Sequence, residues 1–488
     1  MRTGEQLALD NTPFYFIGAN AYYLMESAAR GDTATVSALF SQAQELGFTV
    51  IRTWGFFDSE DSLDPAVIQR APGVYNEYAL QALDYVLLGA QRTGIKLLIP
   101  LVNNWDDYGG MNQYARWRES VNVGLGKVSD RYSTEERAMQ VSGSRGQKYR
   151  IAVGSAFGHD DFYSDPMMKG WYRDYVQTIL ERTNTLTGIQ YKNDPAILGW
   201  ELANEPRSSE RTGSLVHSWV EEMSGFIKQI DPNHLVGTGE EGFEVSPQGY
   251  SLGVYPTDLW IFDGSAGVSF TANSSLSTID IASTHVYPEA WSLPWAAGSA
   301  WISEHIRRST VLGKPLVVGE FGTREFKESS YDSWLTTANL EDAAGALVWQ
   351  MLEGARNDND GFGIRCWEDS GVCAVLERFA SVFSDKSRGI IQPIPVAVQL
   401  HQNYPNPFNG QTTISYDLPF EGYVHLFLFN TIGQCVLKLV NGEQRSGVRK
   451  ELLDALLLPS GVYIYRLEVV DQSNQRQAMA DRKLILIK

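Results

Sequence analysis

The chain has 488 residues, of which 43% are hydrophobic and 12% aromatic, and its formal net charge is −18. This supplies enough apolar material for a large core and for more than one domain. Residues 1–400 carry −19 and residues 401–488 carry +1, and so acidic a body argues against nucleic acid or an anionic lipid surface as a partner. No apolar run approaches the roughly 20 residues that a membrane-spanning helix needs.

Cysteine and histidine usage predicts neither a disulfide scaffold nor a metal centre. Cys366 and Cys373 are close enough in sequence to pair in an oxidising compartment, and the sequence leaves that pairing open. Cys435 would then be left over. The seven histidines are scattered without the spacing of a zinc site, so we expect no metal and no cofactor.

Apolar runs alternate with amphipathic stretches through the first 386 residues. Eight apolar runs lie at 14–20, 50–54, 96–103, 197–205, 235–241, 282–287, 316–322 and 346–351. The amphipathic stretches between them include 76–94, 171–183, 215–230, 301–312 and 331–344. This alternation predicts a (β/α)8 TIM barrel over residues 1–386. A doubly wound open sheet is the alternative, but no glycine-rich phosphate loop follows the first strand.

One connection in this predicted barrel is unusually long. Residues 104–170 separate the third strand from the next helix, and residues 121–153 within them are polar and rich in glycine and serine. Loops of this length are usually functional or disordered. Since strand-to-helix loops lie on the active face of such a barrel, we expect the insertion at about 121–153 to border the substrate. An inert excursion is the alternative.

The composition and the periodicity of the sequence change after an amphipathic stretch at 375–384. Residues 387–400 have no helical period and form a plausible linker. Residues 401–488 contain short alternating runs at 412–418, 423–430, 435–439, 461–470 and 482–488, separated by turn signals. This pattern predicts a small all-β, immunoglobulin-like sandwich.

Two of the apolar runs end on a glutamate. Glu205 closes the fourth run, where Pro206 cannot continue a strand, and Glu320 closes the seventh. The ends of parallel barrel strands meet at one rim, so the two carboxylates are expected to lie close together. Retaining glycosidases use such a pair, about 5–5.5 Å apart. A helix cap or a lysine partner explains one glutamate easily but two such strand ends poorly. Glu201, deeper in the fourth run, is expected to be a buried partner for a cation or hydroxyl.

Other strand ends carry side chains that suit a sugar site. Arg52 could pair with the ionised carboxylate, and His285 and Tyr287 could hydrogen-bond it or the sugar. Asn204 could bind a sugar hydroxyl, and Trp349 could form an apolar platform under a pyranose ring. Each residue alone has a structural explanation, because a tryptophan in a strand is more often core and a lone arginine is more often a surface ion pair. Their placement on separate strand ends favours a single site.

Aromatic residues follow the strands closely, where loops open on the active face. Sugar rings stack on aromatic side chains, so a row of these residues would make a polymer groove, while others pack in the core. They are Tyr22, Tyr23, Trp54, Phe57, Trp105, Trp291 and Trp295.

Taken together, these motifs resemble glycoside hydrolase family 5 of clan A, and within it the endo-β-1,4-mannanases. The Asn–Glu–Pro and Gly–Glu–Phe–Gly motifs identify the family, and the Val–Asn–Asn–Trp and Glu–Pro–Arg runs are similar to mannanases rather than cellulases. The matching segments are Ile51–Trp54, Leu101–Gly110, Trp200–Arg207, His285–Tyr287, Gly319–Gly322 and Trp349.

The resemblance implies Glu205 as acid/base and Glu320 as nucleophile, with no metal. Trp54 and Trp105 would lie on the glycone side, and Arg207 would serve the leaving-group subsites. The implied substrate-binding residues are Arg52, Trp54, Asn103, Trp105, Asn204, Arg207, His285, Tyr287 and Trp349.

The activity that the resemblance implies is retaining hydrolysis of internal β-1,4 bonds in mannan, glucomannan or galactomannan. Three alternatives stay open at this point. An exo-acting β-mannosidase or mannobiohydrolase would result if the insertion closed one end of the groove. A β-1,4-glucanase would use the same scaffold, and a surface polysaccharide-binding protein would use it without catalysis.

The last 90 or so residues resemble the C-terminal sorting domain of the type IX secretion system. The residues that carry the resemblance are Asn403–Asn409 and Ser460–Tyr465. It implies contact with secretion machinery and a secreted or cell-surface location. Residues 1–11 are polar and contain no signal-peptide core, so the signal peptide is expected to be missing from this chain, although a cytosolic protein would show the same pattern. A carbohydrate-binding sandwich is the competing interpretation.

Overall fold

Parallel strands close into a barrel in the first part of the chain. The computed structural model describes residues 2–9, 11–124, 141–142, 148–149, 157–354, 356–389, 395, 397–471 and 476–488. Within these ranges eight parallel strands form one sheet in the order β5-β4-β3-β2-β1-β8-β7-β6, and a bridge between Gly237 and Ile281 closes it. The strands are β1 (Phe16–Asn20), β2 (Val50–Arg52), β3 (Lys96–Pro100), β4 (Ile197–Glu201), β5 (Leu235–Gly237), β6 (Ala282–Val286), β7 (Leu316–Phe321) and β8 (Gly345–Val348). The predicted TIM barrel is confirmed.

The barrel strands are buried on both faces, which is why they read as continuous apolar runs. Every residue of β1, β6, β7 and β8 is buried. Several predicted strands run too far at their C-terminal ends, because the chain stays apolar and buried after the ladder stops. Leu101 and Val102 follow β3, and Leu202 and Ala203 follow β4, all with 0% exposure. Hydrophobicity reports burial, and it does not mark where strand pairing ends.

Helices surround the barrel, and their ends follow local sequence signals. The longest predicted amphipathic stretch is α3, which begins after Asn76, whose side chain accepts from the backbone N–H of Tyr78, and ends at Gly94 with φ 72°. The described helices are α1 (Leu24–Ala29), α2 (Thr33–Glu45), α3 (Glu77–Thr93), α4 (Gly110–Gly124), α5 (Asp161–Ser164), α6 (Pro166–Glu181), α7 (Ser214–Ile230), α8 (Phe270–Ser275), α9 (Ala297–Val311), α10 (Lys327–Leu340) and α11 (Ser370–Ser387).

The insertion predicted at 121–153 lies largely outside the described residues. Its first residues form the end of α4, and Val141–Ser142 pairs antiparallel with Lys148–Tyr149. The expectation that this segment borders the substrate stays a prediction.

The C-terminal residues form two packed antiparallel sheets, as predicted. One sheet has the order β9-β10-β13 and the other β12-β11-β14-β15. The strands are β9 (Gln399–Leu400), β10 (Gln411–Leu418), β11 (Gly422–Asn430), β12 (Cys435–Gln444), β13 (Gly447–Asp454), β14 (Gly461–Asp471) and β15 (Arg476–Leu486). Inward-facing side chains such as Ile414, Leu426, Leu428 and Leu467 make a separate core, each with 0% exposure.

The sequence does not predict strand β13, because its middle is charged. Those charges contact the barrel. The Lys450 ammonium lies 2.6 Å from the Asp332 carboxylate, and the Ser333 hydroxyl on α10 donates to the Lys450 carbonyl at 3.1 Å. Arg449, 3% exposed, pairs with Glu341 at 3.2 Å. The sandwich is therefore attached to helix α10 through a partly buried polar seam.

The open question of the cysteines is answered by a disulfide between Cys366 and Cys373, with an S–S distance of 2.01 Å. Cys435 is free and exposed. In the part of the chain that the structure describes, every helix is too short or too polar to cross a bilayer.

Candidate active site

The two candidate glutamates reach the same rim of the barrel by different routes. Glu320 belongs to strand β7, as predicted. Glu205 does not end a strand: β4 stops at Glu201, and Glu205 follows it with φ 50°, in the left-handed region. Its backbone N–H donates to the carbonyl of Gly239 at 2.8 Å. The prediction of a strand through Glu205 is wrong because the backbone turns there, and the turn brings the carboxylate to the centre of the rim.

The carboxylates of Glu205 and Glu320 face each other inside the barrel mouth. Both residues are 0% exposed. One oxygen from each, together with a ring nitrogen of His285, forms a group whose atoms all lie within 4.8 Å of one another. Retaining glycosidases hold their carboxyl groups about 5–5.5 Å apart, whereas inverting enzymes need roughly 6.5–9.5 Å to admit a water. The spacing therefore suits direct attack by one carboxylate.

Glu320 accepts a hydrogen bond at each oxygen. The Arg52 Nη1 group donates to Oε1 at 2.8 Å, and the Tyr287 hydroxyl donates to Oε2 at 2.6 Å. Donors at both oxygens, one of them cationic, stabilise the ionised carboxylate. This is the form that a nucleophile needs.

Arg52 organises the base of the site. Its Nε donates to Glu201 Oε2 at 2.6 Å and its Nη2 to Asn204 Oδ1 at 2.9 Å. Burial acts to lower the pKa of Arg52, but the negative charges of Glu201 and Glu320 outweigh this and raise the pKa above its ordinary value. Arg52 thus stays charged with 0% exposure. The expectation that Glu201 is a buried partner for a cation is confirmed.

Glu205 also contacts a donor at each oxygen. His285 Nδ1 lies 2.8 Å from Oε1, and the Trp105 indole Nε1–H donates to Oε2 at 2.6 Å. The same Nδ1 is 3.5 Å from Glu320 Oε2, so His285 sits between the two carboxylates. Its Nε2 is buried and has no partner among the described residues. A hydrogen on Nδ1 and none on Nε2 satisfies this arrangement, because a buried N–H without an acceptor would be costly.

The loop after β3 delivers Trp105 to this position. The Asn103 side chain accepts from the backbone N–H of Trp105 at 3.2 Å and from the Asn204 amide at 3.0 Å, which ties the loops after β3 and β4 together. Gly109 and Gly110 then turn the chain with φ values of 92° and 58°. A Cβ atom on Gly110 would lie 2.3 Å from the Trp105 carbonyl oxygen, so the close turn requires glycine.

Arg207 lies beside Trp105 in a cage of one carboxylate and several aromatic rings, which the sequence does not predict. Its guanidinium makes a two-point contact with Glu241 at 2.6 and 2.7 Å. It also lies 5.0 Å from the ring of Trp105, 4.9 Å from Phe243 and 5.3 Å from Trp260. Glu241 closes the fifth predicted run, and its place at a strand end was the available signal. Nothing in the sequence brings Phe243 and Trp260 to this arginine.

An aromatic wall forms another part of the rim. Tyr22 stacks on Trp349 with ring centroids 5.5 Å apart and contacts Trp54 at 4.7 Å. The Trp349 indole N–H donates to Asp360 at 2.8 Å, whereas the Trp54 indole nitrogen has no partner among the described residues. Of the other predicted aromatic residues, Trp291 is core, with 1% exposure. Trp54 thus contacts the other rings of this wall, whereas Trp105 contacts Glu205 and Arg207.

Glu205, His285 and Glu320 are also the described residues whose spacing could hold a metal ion. The hydrogen bonds argue for a different use. The Arg52 cation already lies 2.8 Å from Glu320, and a second cation beside it would be repelled. The three groups in this arrangement can instead transfer a proton and carry out nucleophilic attack.

Comparison with known proteins identifies the family to which the chain belongs. The family model described as "GH family 5 beta-mannosidase-like" matches residues 1–379, and that described as "Secretion system C-terminal sorting domain" matches residues 402–481. A relative in Arabidopsis thaliana, putative mannan endo-1,4-beta-mannosidase 4, is 36% identical over 381 residues, covering 73% of this chain and 84% of the relative. A tomato (Solanum lycopersicum) relative, mannan endo-1,4-beta-mannosidase 4, is 36% identical over 398 residues, covering 76% and 88%.

Two solved structures show the same architecture. The endo-beta-1,4-mannanase from Thermotoga petrophila has a TM-score of 0.66 at 28% identity, covering 97% of this chain and 98% of its own. The endo-1,4-beta-mannanase from Rhizomucor miehei has a TM-score of 0.64 at 33% identity, covering 78% and 98%. The chain therefore belongs to the family 5 glycoside hydrolases of the β-mannosidase-like group, and it carries a secretion-system C-terminal sorting domain.

Proposed function

We propose that this glycoside hydrolase is a retaining endo-β-1,4-mannanase. The observation that carries the proposal is the pair of buried carboxylates, Glu205 and Glu320, with oxygens within 4.8 Å of each other. Their different partners support different roles. Glu320 is paired with a permanent cation, Arg52, at 2.8 Å, and Glu205 with the titratable ring of His285 at 2.8 Å.

In the first step, a Glu320 oxygen attacks the anomeric carbon and the bond to the leaving sugar breaks. The acid proton of Glu205 goes to the departing oxygen, which leaves as a free hydroxyl. In the second step, Glu205, now ionised, takes a proton from water. The resulting hydroxide displaces Glu320 from the anomeric carbon with a second inversion, so the product keeps the β configuration.

The substrate class rests on the relatives, whose names specify mannan endo-1,4-β-mannosidases at 36% identity. The remaining predicted residues have positions that suit sugar binding. Trp349 and Trp54 stand in the aromatic wall. Asn204 accepts from Arg52, which also donates to Glu320. Arg207 lies against Trp105, the hydrogen-bond donor to Glu205. We propose that the wall and the arginine cage contact successive sugars on either side of the cleaved bond.

The early products released from mannohexaose, resolved by mass, test the assignment. The wild type is expected to cut internal bonds, giving di-, tri- and tetrasaccharides together, and Glu320→Ala is expected to abolish this. Release of mono- or disaccharide alone would overturn the endo mode. Cleavage of cellohexaose with mannohexaose untouched would overturn the mannan assignment.

We also propose that the sorting domain directs export through a type IX secretion machinery, which would put the enzyme where polysaccharide is found. The match over residues 402–481 supports this. Fusion of residues 401–488 to a periplasmic reporter in a host with that machinery tests it. The reporter is expected outside the cell, and retention in the periplasm would contradict the proposal.

A further inference from the structure

The indole of Trp105 makes a direct hydrogen bond to the candidate acid/base. Its Nε1–H lies 2.6 Å from Glu205 Oε2, and the two residues are 4% and 0% exposed. An indole nitrogen donates and cannot accept. It therefore interacts favourably with a carboxylate oxygen that carries a lone pair, and it cannot receive the acid proton. The contact discriminates between the two protonation states of Glu205.

The indole is itself held from several sides. Asn103 accepts from its backbone N–H at 3.2 Å. The guanidinium of Arg207 lies 5.0 Å from the ring, and the two-point contact with Glu241 fixes that guanidinium. A donor fixed in this way aligns its partner without paying for reorganisation during the reaction. The Arg207–Glu241 pair thus reaches Glu205 through Trp105.

We propose that Trp105 is a positioning residue for Glu205, set apart from the sugar-stacking role that its motif implies. The inference rests on the proposed function, because it concerns the acid/base of that reaction. The bond fixes the plane of the Glu205 carboxyl and favours its ionised form. Glu205 consequently releases its proton to the leaving oxygen more readily and is ready to act as a base in the second step.

Other charged and titratable groups set the background for any pH effect on Glu205. Three of them act on it directly: His285, Glu320 and Arg52. The Arg207–Glu241 pair lies one contact further away, beside Trp105.

Trp105→Phe keeps an aromatic ring and removes the donor. Loss of one hydrogen bond to the ionised carboxylate is expected to move the alkaline limb of the kcat/KM profile up by about one pH unit. The leaving group gives a second readout. A phenyl β-mannobioside needs protonation of its leaving oxygen and a dinitrophenyl β-mannobioside does not. The variant should lose about tenfold more kcat/KM on the phenyl substrate.

Trp54→Phe is the matched control. It removes an indole N–H that has no partner among the described residues, from a ring 5% exposed on the same rim. It is expected to leave the alkaline limb in place and to change both aryl substrates by the same factor, whatever it does to KM. A purely structural or stacking role for Trp105 would give the same pattern in Trp105→Phe and would overturn the inference.

A second variant covers the case in which Trp105→Phe does not fold, as judged by circular dichroism. Arg207→Lys keeps the positive charge and removes the planar, two-point contact that holds the indole. It should move the alkaline limb in the same direction by a smaller amount. An unchanged limb in Arg207→Lys would then overturn the inference. Failure of the proposed function is distinguishable, because the wild type itself would leave mannohexaose uncut.

Discussion

The hydroxyl of Tyr287 offers a sharp test of how the site holds Glu320 for attack. It donates to Glu320 Oε2 at 2.6 Å from a side chain that is 1% exposed. Tyr287→Phe removes this donor and retains the ring. A hydrogen bond to a charged group contributes about 1.5–3 kcal/mol, and about 1.4 kcal/mol corresponds to a tenfold change in rate, so the bond is worth roughly 10- to 150-fold in rate.

The direction follows from what the bond does. The hydroxyl holds one oxygen of Glu320 in a fixed orientation, so its loss leaves the nucleophile less well aligned with the anomeric carbon. The value of kcat should therefore fall by roughly 10- to 150-fold, while KM changes little. Measurement of kcat and KM on a soluble mannooligosaccharide gives both values.

Tyr23→Phe is the matched control for this experiment. The Tyr23 hydroxyl is equally buried and donates to the Met351 carbonyl at 3.0 Å, away from both catalytic carboxylates. Its loss is expected to lower the melting temperature without changing kcat. An unchanged kcat in Tyr287→Phe, in a protein that folds normally, would refute the reasoning that this hydroxyl positions the nucleophile.

Three further predictions follow from the geometry. Glu205→Ala should still be glycosylated by a dinitrophenyl β-mannobioside but should stall at deglycosylation. Added azide should restore turnover and give the β-glycosyl azide as the product. A burst of dinitrophenol without restored turnover in azide would contradict the acid/base role. Burial raises the pKa of Glu240 to about 8, so the protonated side chain stabilises the native state at low pH, and this contribution is lost as the pH rises toward 8. Glu240→Gln should therefore reduce the dependence of the melting temperature on pH between pH 5 and 8.5, and an unchanged slope would contradict this. Asp332→Ala removes the partner of Lys450, whose ammonium lies 2.6 Å from the Asp332 carboxylate. Limited proteolysis should then separate the sandwich from the barrel at a lower salt concentration than in the wild type. Equal cleavage of the two proteins would contradict the role of the seam.

The sequence predicts the barrel and both carboxylates because these depend on periodic signals. Alternating apolar and amphipathic stretches define the strands, and a glutamate at the end of an apolar run marks the rim. The left-handed backbone at Glu205, φ 50°, carries no such signal. It follows from contacts with neighbouring loops, such as the hydrogen bond from the Glu205 N–H to Gly239 after β5, which a single sequence does not reveal.

The surroundings of Arg207 and the strand β13 escape prediction for a related reason. Phe243 and Trp260 reach Arg207 from a loop after β5, and only the folded chain brings them together. In β13, Arg449 and Lys450 interrupt the apolar pattern that predicts a strand, because charged residues in a strand normally face water. Their partners are on helix α10 and near its end, so a contact between the two halves of the chain decides the structure there.

The proposed mechanism depends most directly on Glu320 forming a bond to the sugar. A fluorinated mannobiosyl fluoride slows deglycosylation more than glycosylation and should accumulate the intermediate. Peptide mass mapping of the inactivated enzyme is expected to find one mannobiosyl group on the peptide that contains Glu320, and none on Glu320→Gln. A label on Glu205, or fully active enzyme that releases the α-configured product, would contradict the two-step mechanism with Glu320 as its nucleophile.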